Sequence, residues 1–207
     1  MLNFFGFYNS VKLHKSNTDD HRLQNLAKST LGSASLSKLV KLPKGEDLNE
    51  WIAVHIVDFY NQLNLLFATC QQCTRNNCPV MNAGQKYEFH WCDGVEFKRP
   101  IKLSAPEYIT NLLNWVKGYI DDEQVFPTGT NQFNKKFLQT AKQIFKRLCR
   151  VYGHLYLSHF EEFEKYRVES VLNTSFKHFY FFVKEFELVP EKDYEYLKPM
   201  ISKIEKN

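Results

Sequence analysis

Four residues in two widely separated segments have the types and spacing of a metal site. Cys73 and Cys78 give Cys-x4-Cys, and much later His154 and His159 give His-x4-His. Two thiolates with two imidazoles suit a tetrahedral zinc ion, and four protein ligands leave no open position for water, so the metal would be structural. Two alternatives stay open. Residues five apart on a helix point about 140° away from each other, so both imidazoles reach one ion only if the helix bends, with Gly153 available to help, or if His159 sits past an irregular turn. Cys70-Gln71-Gln72-Cys73 is also a Cys-x2-Cys pair able to chelate or to undergo redox chemistry instead. The His segment carries a second chemistry. Lys146, Arg147 and Arg150 fall within about a quarter-turn of one helix, so their cationic heads either converge on one anion, as guanidinium forks suit phosphate oxygens, or form an ordinary solvated face.

An enzyme would need more than this. A zinc hydrolase wants His-Glu-x-x-His or its equivalent beside an open metal, and Gly153-His154-Leu155-Tyr156-Leu157-Ser158-His159 has no Glu between the ligands. A phosphate-cradling Gly-rich loop is also missing, so no catalytic set is expected. Nucleic acid is the rival partner for the basic wedge, but Glu161, Glu162 and Glu164 follow it and would repel an extended phosphate backbone.

The elements that position these residues read mainly as helices. Phe137, Leu138, Ala141, Ile144, Phe145, Leu148, Tyr152 and Leu155 recur at the three-and-four spacing of an amphipathic helix, with Phe160 to about Ser170 continuing or bending from it. Asp47-Leu48-Asn49-Glu50 looks like a capping box opening a helix towards Cys70. Its buried stripe would be Leu48, Ile52, Ile56, Phe59, Leu63, Leu66 and Phe67, with Glu50, Trp51, Val54, Asp58 and Gln62 to one side. Trp51 is either a core residue with an edge in water or the aromatic anchor of a partner-binding strip. Tyr87 to Trp91, the turn signal Asp93-Gly94, and Val95 to Lys98 read as a β-hairpin. Ser104-Ala105-Pro106-Glu107 caps another helix, with Ile109, Leu112, Leu113, Val116, Tyr119 and Ile120 inward, before a polar loop from Asp121 to Asn134. Asn173 or Thr174 would cap a Phe-rich helix. A last helical segment near Tyr194 to Glu205 should be broken or kinked by Pro199. The fold expected is a helical bundle on a four-helix core, with a small β-hairpin and a structural zinc site.

Residues 1–20 lack a sustained period and read as a flexible arm, whose aromatics patch the surface or lie over a binding groove. Asp20 to Ser29 reads as a short helix ended at Gly32, and residues 21–207 as one domain. With 207 residues, 18 Phe, 11 Tyr and few Gly or Pro, the chain can bury a substantial core. A net charge of +4 permits an acidic or phosphorylated partner without the basicity of a dedicated nucleic-acid binder. No stretch has the apolar length of a membrane span, and the first residues lack the features of a secretory signal, so no membrane insertion and a cytosolic or nuclear home are expected. Five cysteines, an odd number placed in part beside a histidine pair, fit metal ligation better than disulfides.

Leu42 to Val54, Cys78-Pro79-Val80-Met81, Arg150-Val151-Tyr152 and Asn173 to Phe179 together resemble the Mob family of kinase coactivators, in its founding subgroup. The resemblance runs from about Leu31 to Glu187. It implies zinc at Cys73, Cys78, His154 and His159, with no regular family cysteine at position 70. It also implies binding of phosphothreonine peptides from upstream kinases or scaffolds by Lys146, Arg147 and Arg150. Glu46, Glu50, Trp51, Asp58 and His178 match positions that dock the basic N-terminal region of NDR/LATS-class kinases, though His178 equally suits a packing role. Thr30 matches a regulatory phosphosite, whereas Asn9-Ser10-Val11-Lys12 lacks the threonine of a second. The implied protein is a non-enzymatic coactivator, monomeric when unbound, in Hippo or mitotic-exit type signalling. It would act in the cytoplasm, with the nucleus, spindle poles or division site as further locations. The competing class is a scaffold of the striatin-associated or inhibitory Mob subgroups that binds partners without activating a kinase.

Overall fold

The computed structural model describes residues 36–128 and 132–206. The expected arm, the helix from Asp20 to Ser29, the cap at Gly32 and Thr30 all lie outside these residues. Seven α-helices occur among the described residues: α1 (Leu36–Leu39), α2 (Leu48–Thr69), α3 (Ala105–Ile120), α4 (Phe137–Ser158), α5 (Phe160–Lys165), α6 (Glu169–Glu185) and α7 (Lys198–Lys206). Between α2 and α3 lies a two-stranded antiparallel sheet, β1 (Asn82–Ala83) and β2 (Tyr87–Glu88).

The long helices start where the sequence offers caps. Asp47 accepts the backbone N–H groups of Asn49 and Glu50, at 2.8 and 3.1 Å, satisfying donors that have no partner inside α2. Ser104 and Glu107 form the capping box of α3, with the Ser104 N–H donating to the Glu107 carboxylate at 3.2 Å. α4 is the hub: it packs on α2, α3 and β1, while α2 also packs on α3 and α6, giving the four-helix core. The aromatic rings of Phe59, Phe145, Phe179 and Phe182 meet between α2, α4 and α6 with centroids 5.2–6.0 Å apart.

Four local expectations are corrected. The hairpin pairs Asn82 with Glu88 and Ala83 with Tyr87, and Trp91 bridges to Ile101, so residues 95–98 form no strand. The Asp93 carboxylate accepts the N–H groups of Val95 and Phe97, which folds the Asp93-Gly94 turn on itself and leaves no ladder to extend. α6 begins at Glu169 rather than at Asn173 or Thr174, because the Asn173 side chain is spent accepting the Tyr156 hydroxyl at 2.9 Å. Pro199 lies in the first turn of α7, where its missing N–H costs nothing, so it breaks no helix. Leu48 and Leu138, placed on the buried stripes of α2 and α4 by their spacing, are each 38% exposed because they lie in the first turns of those helices.

Gly153 has a different purpose from bending α4. A Cβ there would come 2.4 Å from a Tyr196 ring carbon and 3.1 Å from the Ala83 Cβ. Glycine therefore lets the C-terminal segment and β1 close onto α4.

Candidate metal centre and the surfaces around it

Cys73 follows the end of α2 in a turn closed by its N–H to the Cys70 carbonyl at 3.3 Å, and the Cys78 N–H bonds the Thr74 carbonyl at 2.8 Å. His154 lies in the last turns of α4. His159 caps that helix with φ −132° and ψ 6°, so the irregular turn needed to bring two imidazoles five residues apart to one point is present. The Cys73 sulfur lies 3.5 Å from His154 Nε2, the Cys78 sulfur 3.3 Å from His159 Nε2, and the two Nε2 atoms are 3.2 Å apart. A tetrahedral zinc ion with ordinary Zn–S and Zn–N bonds sets edges of about 3.5 Å between sulfur and nitrogen and about 3.3 Å between nitrogens. The buried Cys2His2 cluster fits such an ion, with all four ligand atoms within 4.8 Å of one another.

The surroundings orient the ligands. His154 Nδ1 donates to the Asn82 carbonyl at 2.9 Å, which leaves Nε2 turned to the centre. Glu162 lies 3.6 Å from His159 Nδ1 and accepts the Gln71 and Gln72 amides at 2.8 and 3.2 Å. Cys70, His159 and Glu162 also lie within ligand distance of one another. Because the Glu162 oxygens are already held by backbone amides, this group reads as the outer support of His159 rather than a rival site. Burial pushes the Cys73 and Cys78 thiols up and lowers His154 to about 4, and it lowers His159 as well. A bound cation must therefore displace thiol protons, and acid competes with it.

The three basic residues of α4 each have different neighbours. Lys146 Nζ lies 3.0 Å from the Asp193 carboxylate. The Arg147 guanidinium is held between the Trp91 and Trp115 rings, at 4.8 and 4.3 Å, and its Nη2 donates to the Cys92 carbonyl at 2.6 Å. Its Nη1 is buried and makes no hydrogen bond among the described residues. Arg150 Nη1 donates to the Tyr108 hydroxyl at 2.8 Å, and its guanidinium lies 5.0 Å from the Phe89 ring centre.

The residues expected to form a docking strip on α2 differ in exposure. Glu46, Glu50 and Asp58 are partly exposed. Trp51 is only 1% exposed, its indole N–H donating to the Val40 carbonyl at 3.0 Å, and His178 is 0% exposed. Of the two readings of Trp51, core residue or exposed anchor, the structure takes the first, with Val40 just after α1 holding the indole. Inward from Asp58 runs a polar chain. Gln62 donates to Asp58, Ser175 donates to Gln62, and Tyr152 of α4 donates to Ser175, each at 2.6 Å.

A family model described as Mob1/phocein matches residues 28–197. The chain belongs to the Mob1/phocein family. It is 51% identical over 192 residues to a Dictyostelium discoideum protein named MOB kinase activator-like 1 homolog B, covering 92% of this chain and 89% of that one. To the Schizosaccharomyces pombe maintenance of ploidy protein mob1 it is 46% identical, covering 95% of this chain and 98% of the relative. An Arabidopsis thaliana relative, MOB kinase activator-like 1B, is 48% identical, covering 91% and 89% of the two chains. Among Mob residues that the sequence reading missed, Glu162 had a signal, being three positions past His159 beside a helix start. Asn82, Cys92, Tyr108 and Asp193 had none, since each reaches its partner over tens of residues.

The core histidines of this Mob chain predict an acid response. Burial lowers His55 to about 3, and it lowers His178 to about 4. Below the ordinary value of about 6.5 the unfolded chain gains protons that the folded chain refuses. Stability is complete above that pH and falls as pH drops towards the folded values, by roughly 1.4 kcal/mol per pH unit for each histidine. Urea melts from pH 8 to 4.5 with zinc in excess should show a loss of this kind, to which His154 and His159 add, and His55→Phe should reduce the slope by roughly 1.4 kcal/mol per pH unit. Parallel curves for the two proteins would refute the assignment to His55.

Proposed function

We propose that the chain is a non-catalytic adaptor that activates a serine/threonine kinase of the NDR/LATS class. The kinase's basic N-terminal regulatory region docks along the Glu46, Glu50 and Asp58 side of α2, and Lys146, Arg147 and Arg150 on α4 take a phosphothreonine peptide from an upstream kinase or scaffold. The observation that carries this reading is the group of relatives named kinase activators, at 48–51% identity over 89% of their length. Three partly exposed cations within two turns of α4, Lys146, Arg147 and Arg150, support the peptide half. Partly exposed carboxylates on one side of a long helix support the kinase half, since complementary charge sets encounter rate and partner choice. Trp51 and His178, being buried, act on this surface by positioning α2 and α6. Zinc at Cys73, Cys78, His154 and His159 is the structural cofactor, tying the segment after α2 to the end of α4. The setting is Hippo or mitotic-exit type signalling in the cytoplasm and at division sites, with Thr30 as a regulatory phosphosite.

Calorimetric titration tests both halves at once. Asp58→Arg replaces an attraction with a repulsion and should abolish binding of the kinase regulatory fragment and activation of the kinase, while phosphopeptide binding persists. Arg150→Ala should do the reverse, weakening the phosphopeptide by about 1.5–3 kcal/mol, the range for a charged hydrogen bond. Circular dichroism must show both variants folded, because Asp58 belongs to the polar chain and Arg150 holds Tyr108. Undiminished kinase activation by Asp58→Arg would end the coactivator reading. Equal affinity for phosphorylated and unphosphorylated peptide would end the phosphopeptide reading.

A further inference from the structure

The basic wedge already has an anion of its own. Asp193 ends a short 3-10 turn, Glu191–Asp193, and its carboxylate pairs with Lys146 at 3.0 Å; among the described residues no other carboxylate pairs with Lys146, Arg147 or Arg150. The turn is anchored. The Asp193 N–H bonds the Pro190 carbonyl at 2.8 Å, and Tyr194, Tyr196 and Leu197 immediately after it are buried. Tyr196 packs against α4 in the space that Gly153 leaves. The packing of the C-terminal segment therefore holds the Asp193 carboxylate beside Lys146.

A ligand phosphate must take Lys146 from this carboxylate and then bind beside it. Phosphothreonine carries about −1.5 to −2 charges and three acceptor oxygens, so it outcompetes a single carboxylate, but less tightly than at a wedge with no resident anion. We infer that Asp193 is an affinity-setting residue of the phosphate site, a built-in counter-ion that engages Lys146 and that a phosphate must displace. The inference rests on the phosphopeptide reading above. Its functional consequence is attenuation: the wedge binds dianions reversibly, and the C-terminal segment, by placing Asp193, sets how strongly.

The test uses the full chain and a phosphothreonine peptide drawn from a degenerate library, with the same peptide unphosphorylated as control. Asp193→Asn keeps the shape and removes the charge. It should tighten the phosphopeptide roughly two- to fivefold, as expected for a half-exposed ion pair, and steepen the loss of affinity with added salt, because the site then carries more net positive charge. A merely structural role would not change the salt dependence. In a Lys146→Ala background the gain from Asp193→Asn should vanish, since the two residues act as a pair. Unchanged or weakened phosphopeptide binding by a folded Asp193→Asn variant overturns the inference, and so does a gain that persists without Lys146. If neither the parent nor the variant prefers the phosphorylated peptide, the phosphopeptide reading itself fails and the inference falls with it.

Discussion

Removing the metal should cost the protein several kcal/mol of stability and blur its cooperative unfolding. The ligand pairs Cys73–His154 and Cys78–His159 each join residues 81 positions apart. A crosslink over a loop of that size is worth roughly 4–5 kcal/mol in chain entropy alone, before counting the Zn–S and Zn–N bonds. Without the ion, two buried thiols and two buried imidazoles meet at hydrogen-bond distance with no charge to organise them. Urea melts with excess zinc and after chelation at neutral pH should differ by this amount. Cys78→Ser and His154→Ala should each reproduce the chelated protein and bind no metal, whereas Cys70→Ser should retain a full equivalent. Purified chain with less than about a tenth of an equivalent of zinc, set against the one ion a tetrahedral set holds, would show the assignment to be wrong. Loss of metal on Cys70→Ser would transfer the site to the other cysteine pair.

Trp51→Ala should be comparably damaging, and for a reason unconnected with any partner. The indole is 1% exposed, its ring meets His55 with centroids 4.4 Å apart, and its N–H holds the Val40 carbonyl. Truncating a buried Trp to Ala costs about 3–5 kcal/mol through lost transfer energy and a residual cavity, and an unpaired Val40 carbonyl adds on the order of 1 kcal/mol. Trp51→Phe should fall between, keeping ring packing and losing the hydrogen bond. Glu50→Arg, on the partly exposed side of the same turn, reverses a charge in the first turn of α2 and should cost about 1 kcal/mol, well below Trp51→Ala. Denaturant melts of the three variants separate the cases. A Trp51→Ala protein as stable as the parent, yet defective in kinase binding, would restore the indole to the docking surface.

The sequence by itself determined the helical class, the helix starts at Asp47 and Ser104 and most of the apolar stripes of α2, α3 and α4, and it offered the four side chains that the structure gathers into a candidate metal centre. These are local properties. A 3.6-residue period says which side chains share a face, a cap needs a partner only two or three residues away, and thiol and imidazole announce their chemistry by type. What covers each face is decided elsewhere in the chain. Spacing alone left Trp51 between core and surface, and the choice was made by Val40, eleven residues earlier, together with α1 packed against α6. His178 became a core residue against His55 and Phe59 for the same reason. The convergence of His154 and His159 depended on a break at one residue, and the division of the basic wedge between Asp193 and the Trp91–Trp115 pair depended on contacts up to 56 positions away. Such contacts form only once the chain has met the loop-closure cost of bringing distant segments together, and short-range pattern carries no record of which segments those are.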